Sequence, residues 1–332
     1  MPGVRATFPL AALAWLRCNA DAGELRFGDG SPTAPTRVAD GLVHCATCDA
    51  AYPIEAGILR LLPGLHVLDA ESAHEAAQRD REAAEFDRVT GEQQGLLNAL
   101  EVPAHLDALR LFPGCTTLEL GASSGRLTLE LAARGSRVLA VDFSLASLQL
   151  LAERLPAGAP IALVHADLTQ LALAPSAFDR ALATCTSNMP TRAHRLSMLR
   201  LAADALRPDG RFVFSAYNYT WLHGLRREGT VGRYGNDMHV VWRRFRPREL
   251  AREAAPFFAN VDYSSVVPAR RFLQRPLPTH PALRALVPLL QRAARVTGRL
   301  PGLRGFGWLW MMTVDTPLHE PAPPARDAAP SA

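Results

Sequence analysis

The chain has 332 residues, 48% of them hydrophobic and 20% charged, a composition that supports one large core plus a small accessory unit and excludes an intrinsically disordered chain. Its 36 basic residues are all arginine and the formal net charge is +4, a mild, dispersed charge that permits a nucleic-acid partner without requiring one. Five cysteines, an odd number, argue against a disulfide framework; no cleavable leader and no apolar run of membrane-spanning length is read, so a cytoplasmic protein is expected.

Residues 1–63 are turn-rich. Gly28-Asp29-Gly30-Ser31-Pro32 and Asp40-Gly41 separate strand-like runs at Glu24–Phe27, Leu42–His44 and Ile58–Leu62, which reads as a small antiparallel ribbon. Residues 64–111 turn helical: Asp69 or Ser72 caps a helix running through Phe86, and a second is expected over Val102–Leu111. From Cys115 onward, strand and helix patterns alternate. Strands are predicted at Thr117–Leu120, Arg137–Val141, Ile161–His165, Asp179–Thr184 and Gly210–Ala216, with helices at Gly125–Ala133, Leu145–Leu155 and Arg195–Leu206. Ala259–Val267 and Trp308–Val314 are expected to be the last two strands. That order defines an α/β unit over residues 112–316, with a mostly parallel sheet covered on both faces. An arginine-rich insert at 270–305 contains a helix-spaced run, Pro281–Leu300, read as a helix packed on the domain with a solvated basic face; a lid, a membrane-surface helix and a partner contact are the alternatives. Residues 317–332, rich in proline and alanine, are expected to form a disordered tail.

The chemistry concentrates where three strands end. Thr117-Leu118-Glu119-Leu120 runs into Gly121-Ala122-Ser123-Ser124-Gly125, a strand, a tight turn and the start of a helix. Gly121 allows close backbone approach to a ligand, and Gly125 lets helix and strand pack closely. Asp142 ends the second strand, 17 residues after Gly125, a suitable distance for an acid that accepts both hydroxyls of a ribose. Asp167 follows the third strand, where it can accept from an adenine amino group. All three positions should line the carboxyl edge of the sheet, where open α/β folds bind ligands.

In this order and spacing the residues resemble class I S-adenosylmethionine-dependent methyltransferases. Phe178-Asp179-Arg180-Ala181 and Leu206-Arg207-Pro208-Asp209-Gly210-Arg211-Phe212 match the approaches to that family's fourth and fifth strands. The resemblance implies a seven-stranded, mostly parallel Rossmann-like sheet and S-adenosylmethionine as cofactor. It places Gly121, Ala122, Ser123 and Gly125 in the cofactor turn, Asp142 on the ribose, and Phe143 beside the adenine. Asp167 and Leu168 fall at the adenine edge, and Thr184 at the end of the fourth strand. Glu119 would hold the amino-acid end of the cofactor, directly or indirectly. Ser123 departs from the family, many of whose members have glycine there. A nicotinamide dehydrogenase also uses a glycine-rich turn and a ribose acid, but the first strand here lacks Gly-x-Gly-x-x-Gly.

In the ribbon, Cys45-Ala46-Thr47-Cys48 is a Cys-x-x-Cys knuckle, and Cys18-Asn19-Ala20-Asp21 repeats the spacing with aspartate last. The layout resembles zinc ribbons that precede some bacterial methyltransferase domains, in which the position of Asp21 is a cysteine. Zinc held by Cys18, Asp21, Cys45 and Cys48 is one expectation, since a carboxylate is an allowed ligand. His44 is an alternative ligand. The competing reading is a ribbon that has lost its metal and folds by packing alone. Cys115 and Cys185 read as small core residues.

Transfer of a methyl group from a sulfonium asks a protein mainly to position the acceptor and exclude water. Acceptor-side residues are expected after the fourth and fifth strands, among them Thr186, Ser187, Asn188 and Tyr217. His223, His239 and Tyr219 are the candidate catalytic groups, with the histidines as bases. No Asn-Pro-Pro-aromatic run follows the fourth strand, which removes one signature of methylation at a planar nitrogen. The expected function is methyl transfer to an O, N or C atom of a small molecule. The alternatives are a ribosomal or transfer RNA methyltransferase whose ribbon grips RNA, and a non-catalytic cofactor-binding scaffold. The sequence assigns no oligomeric state.

Overall fold

The computed structural model describes residues 6–28, 35–62, 68–189, 191–219, 230–234, 240–268, 275–301, 303 and 307–318. The N-terminal part forms short strands β1 (Phe8–Pro9), β2 (Leu25–Phe27), β3 (Arg37–Val38), β4 (Gly41–Cys45), β5 (Ala51–Glu55) and β6 (Ile58–Arg60). Helices α1 (Ala70–Arg88) and α2 (Gly95–Leu109) follow. The alternating region then runs β7 (Thr116–Leu120), α3 (Thr128–Ala133), β8 (Arg137–Asp142), α4 (Leu145–Arg154), β9 (Ile161–His165), β10 (Phe178–Thr184), α5 (Arg192–Ala205) and β11 (Leu206–Asn218). Beyond it lie β12 (Val231–Tyr234), β13 (Val240–Phe245), α6 (Pro247–Ala254), β14 (Phe258–Pro268), α7 (Pro281–Ala285), α8 (Val287–Arg299) and β15 (Gly307–Pro317).

The central sheet has the order β14-β15-β11-β10-β7-β8-β9, parallel from β11 to β9, with β15 antiparallel to both β11 and β14. Its strands are buried on both faces. Leu139, Val141, Ala162 and Val164 enter one core, while Val138, Ala140, Ile161 and Leu163 enter the other. This alternation within unbroken apolar runs is what a parallel sheet covered on two sides requires. The expected Rossmann-like sheet is therefore present, with strand ends within three residues of the predicted ones except at β11, which begins four residues earlier, at Leu206.

The ribbon does more than precede this sheet. β6 pairs in parallel with β9, so β5, β4 and β2 continue the sheet beyond it. The connection from β9 to β10 contains no helix, and the N-terminal segment fills that layer. Arg17 donates its backbone N–H to Ala172 O at 2.9 Å, and Ala174 N–H reaches Trp15 O at 2.9 Å. The Trp15 ring lies 5.6 Å from that of Phe178. Phe8, Leu16, Val43 and Leu59 belong to the same core as Leu139 and Val164. An open parallel edge and an uncovered sheet face are both costly, and one short segment removes both.

Three expectations change. The helix predicted over Val102–Leu111 begins earlier, at Gly95, and passes through Pro103. Proline has no N–H, so the carbonyl of Ala99 four residues back loses its helical donor; Gln291 Nε2 of α8 supplies one at 2.8 Å. β12, β13 and α6 were hidden by arginines inside an apolar pattern; Arg244 lies over the Trp242 ring at 4.5 Å and Arg243 over the Phe245 ring at 5.1 Å. The helix expected in the 270–305 insert packs on the domain with an exposed basic face, but not through its leucines. α8 packs through the small residues Ala294 and Gly298, and its leucines are exposed. The tail expected at 317–332 lies outside the described residues from 319 onward.

A chain lacking residues 1–62 is expected to lose its near-ultraviolet circular dichroism and to bind a hydrophobic dye. A truncated chain that stayed monomeric and unfolded cooperatively would show that the central sheet does not need the ribbon.

Candidate active site

β7, β8 and β9 end side by side, with Leu120 opposite Val141 and Asp142 opposite His165. The turn after β7 is therefore brought against the acid after β8. Gly121, Ser123 and Gly125 all adopt positive φ, at 80°, 50° and 90°. A Cβ on Gly121 would stand 2.2 Å from Thr186 Oγ1, and one on Gly125 2.2 Å from Leu151 Cδ1. Both glycines are thus required by the protein's own packing. Val141 O accepts the N–H groups of Gly121 at 2.8 Å and Ala122 at 3.0 Å, which ties the turn to β8.

Asp142 is buried, and its two oxygens are used in different directions. Oδ2 accepts the Ser123 N–H at 2.7 Å and Oδ1 accepts the Ser144 N–H at 2.8 Å. Burial raises its pKa, against the pull of these two N–H groups. Ser144 caps α4, and Asp80 of α1 accepts from Ser144 Oγ at 2.7 Å and from Ala146 N at 3.0 Å. Farther along, Arg154 pairs with Asp87 of α1. α1 is fastened in this way along α4, beside the rim. Each Asp142 oxygen retains a second lone pair, which suits a pair of hydroxyls.

Glu119 is 2% exposed and accepts from Thr128 Oγ1 at 2.6 Å. Burial pushes its pKa up to about 8, opposed by Thr128 and Arg126 and reinforced by Asp142. Arg126 is held by Asn98 Oδ1 at 3.2 Å and Glu101 Oε1 at 2.9 Å. Phe143, half-buried, follows Asp142. Asp167 and Leu168 lie at the end of β9, half-buried. The Asp167 carboxylate caps its own turn, accepting from Thr169 N at 3.0 Å and from Thr169 Oγ1.

His165 is a rim residue that the sequence reading passed over. It is buried; its Nδ1 accepts from Arg60 Nε of β6 at 3.0 Å, and its Nε2 is 3.2 Å from Phe143 O. Burial and the Arg60 charge hold its pKa down at about 4, so the ring is neutral and Nε2 donates to Phe143. Its backbone oxygen accepts from Leu61 and Leu62, both at 3.0 Å. One residue thus connects the ribbon to the loop that follows Asp142. A histidine read as the last residue of a strand gave no signal for this role.

On the far side, Thr184 ends β10 opposite Ser215. Ser187 Oγ donates to Ser215 O at 2.8 Å, and Asn188 Oδ1 accepts the Tyr217 N–H at 2.8 Å. Both of these side chains brace β10 against β11. Tyr219 is anchored through its backbone N–H to Phe245 O at 2.9 Å, with Arg246 over its ring at 5.6 Å. His223 and His239 lie outside the described residues. The Tyr217 ring meets Trp308 at 4.8 Å and Trp242 at 5.5 Å. The sequence reading named only the tyrosine of this aromatic group, because the tryptophans come from elements distant in the chain.

In the ribbon, the ligand atoms of Cys18, Asp21, Cys45 and Cys48 lie within 4.8 Å of one another. Cys18 Sγ and Cys48 Sγ are 3.7 Å apart, and Cys45 Sγ and Asp21 Oδ1 3.3 Å. Peptide N–H groups point at the sulfurs, from Ala20 to Cys18 at 3.4 Å and from Thr47 to Cys45 at 3.3 Å. His44 stays exposed, on the opposite pleat from Cys45.

These features lie at the carboxyl rim of a class I methyltransferase fold. Residues 117–210, from β7 into β11, match the family described as "Methyltransferase domain". No curated protein matches the sequence. Among solved structures, a Haemonchus contortus phosphoethanolamine N-methyltransferase 2 in complex with phosphomonomethylethanolamine and S-adenosylhomocysteine is similar with TM-score 0.50 and 13% identity. The match covers 76% of this chain and 61% of that one, so the chain spans less than two thirds of that relative's length. A Burkholderia thailandensis 1,6-didemethyltoxoflavin-N1-methyltransferase gives TM-score 0.48 and 22% identity over 83% of this chain and 96% of its own. A Haloferax volcanii methyltransferase complexed with the activator Trm112 gives TM-score 0.48 and 17% identity over 74% and 99%.

The folded chain keeps the Glu119 proton up to about pH 8, while the unfolded chain releases it near 4.5. Stability should therefore fall as pH rises through that interval, by a few kcal/mol. Urea melts of Glu119→Gln should lack this component; parallel pH profiles for the two proteins would refute the buried, protonated carboxyl.

Proposed function

We propose that the protein is an enzyme that moves the methyl group of S-adenosylmethionine to an O, N or C atom of a small organic molecule. The observation that carries this reading is the bonding of Asp142 to both the glycine turn and the start of α4, which fixes a carboxylate at the sheet rim with lone pairs to spare. Asp142 would take the ribose hydroxyls, Phe143 and Leu168 the faces of the adenine, and Asp167 its amino edge. Gly121, Ala122, Ser123 and Gly125 would supply the backbone surface. Glu119, protonated when the site is empty, would become a carboxylate beside the cofactor's ammonium group. When bound, the sulfonium supplies an activated methyl group, so the chain needs chiefly to align the acceptor.

The acceptor would enter past Thr184 toward Tyr217, Trp242 and Trp308, whose rings favour a planar or partly apolar molecule. Tyr219, His223 and His239 are the groups we assign to the acceptor side, with the histidines as proton acceptors where the acceptor is a hydroxyl or amine. The phosphomonomethylethanolamine in the Haemonchus contortus enzyme's complex supports a small acceptor on this fold. Engagement of the ribbon in the sheet, through β6 and His165, supports a structural use for it over an RNA-gripping one.

We also propose that Cys18, Asp21, Cys45 and Cys48 hold zinc. Two thiolates on a tetrahedral zinc with bonds of about 2.3 Å lie about 3.8 Å apart, and a thiolate and a carboxylate oxygen about 3.5 Å. The separations of 3.7 and 3.3 Å fit these values. Five unpaired cysteines support a reducing compartment, the cytoplasm.

Calorimetry with S-adenosylhomocysteine should show binding that Asp142→Ala and Asp142→Asn each weaken by about 10- to 100-fold, the worth of hydrogen bonds to a charged acceptor. Equal affinity in wild type and Asp142→Asn would reject the site. Protein purified without chelator should contain about one zinc per chain by elemental mass spectrometry, lost in Cys45→Ser. Metal-free wild type that melts like the purified protein would reject the zinc assignment.

A further inference from the structure

α8 has its polarity reversed for a helix that packs on a domain. Its inward side is made of small residues: a Cβ on Gly298 would stand 2.0 Å from Ser265 O, so the helix backbone touches β14. Polar anchors hold it there, Gln291 to the Ala99 carbonyl at 2.8 Å and Arg295 to Asp107 at 3.3 Å. Its large apolar side chains face away. Leu283, Leu286, Leu289, Leu290, Val296 and Leu300 are all exposed, with Leu289 at 63% and Val296 at 58%. At 100° per residue, those of α8 and its C-cap, Leu289, Leu290, Val296 and Leu300, fall in one stripe beside the packed face. Exposed Arg292 and Arg299 border it, and exposed Arg284 lies on α7. The surrounding sequence has no acid at all: between Asp262 and Asp315 stand eight arginines and no aspartate or glutamate.

We propose that α7 and α8 form a docking surface for an anionic phospholipid surface, on which the protein rests with the leucine stripe in the headgroup boundary and the arginines on the lipid phosphates. A basic helix with one continuous leucine stripe and a polar anchor behind it has the composition of an interfacial helix, and juxtamembrane arginines add attraction to anionic lipid. No helix among the described residues is long and apolar enough to cross a membrane, and α8 has only 13 residues, so the contact is peripheral. RNA would use the arginines and leave the leucines in water. A second copy seated on the stripe would cover the leucines but offer the arginines no acid from the same segment. This inference stands apart from the identity of the methyl acceptor.

The test is flotation of the full-length, zinc-replete protein with vesicles of phosphatidylcholine plus phosphatidylglycerol, and with phosphatidylcholine alone. Binding is expected to the anionic vesicles, to weaken with salt, and to drop by about tenfold or more in Leu289→Asp/Val296→Asp and in Arg292→Glu/Arg299→Glu. Unchanged affinity for S-adenosylhomocysteine and unchanged melting in both variants separate this from misfolding and from failure of the cofactor site. No binding to anionic vesicles overturns the proposal. So does binding that survives the leucine substitutions, or salt-sensitive RNA binding without vesicle binding. A dimer broken by Leu289→Asp, in protein that ignores vesicles, assigns the stripe to a second copy instead.

Discussion

Two peptide N–H groups on one buried carboxylate organise the ligand rim. Asp142 takes Ser123 from the glycine turn and Ser144 from the cap of α4, so two loops from different βα units are held at a fixed distance. A buried carboxylate without partners would be driven to neutrality. The N–H groups oppose that shift, and their cost in conformational freedom is met by Gly121 and Gly125, which accept the positive φ the turn demands. Ser123 adopts φ 50° without being glycine, and its hydrogen bond to Asp142 helps offset that strain.

The same rim depends on the N-terminal ribbon through a second buried polar group. His165 is neutral, because Arg60 stands against Nδ1 and the surroundings are apolar. In that state it has one acceptor and one donor, and both are used: Arg60 of β6 on one side, the carbonyl of Phe143 on the other. The residue following Asp142 is therefore positioned partly by the ribbon. A metal at Cys18, Asp21, Cys45 and Cys48 would stiffen strands that end on this histidine, which gives the ribbon an influence on the rim without any contact to a ligand.

The strands and the acids at their ends were legible because they obey local rules. Apolar runs of five or six residues ended by a turn or an acid can be read one at a time, and Asp142 and Asp167 are read that way; Glu119, inside its strand, is marked only by the family resemblance. What escaped depended on distant partners. Trp242 and Trp308 join Tyr217 from β13 and β15, and His165 acquires meaning only when Arg60 arrives from β6. β13 looked polar because its arginines Arg243 and Arg244 lie over aromatic faces. The cysteine spacing announced a cluster but not its attachment, since the parallel pairing of β6 with β9 leaves no mark in either strand.

Pro103 shows how one backbone atom can decide the placement of a distant helix. A proline inside α2 leaves the Ala99 carbonyl without its helical donor, and a buried carbonyl without a partner costs about 1–3 kcal/mol. Gln291 satisfies it from α8. That bond matters more than usual because the buried residues of α8 are Ala294 and Gly298, which bury little apolar area. A helix that packed through its leucines would be held by burial and would need no such anchor. Here the anchor is polar, the packing face is small and the leucines remain outside, so hydrogen bonding does more than apolar burial to set the position of the helix.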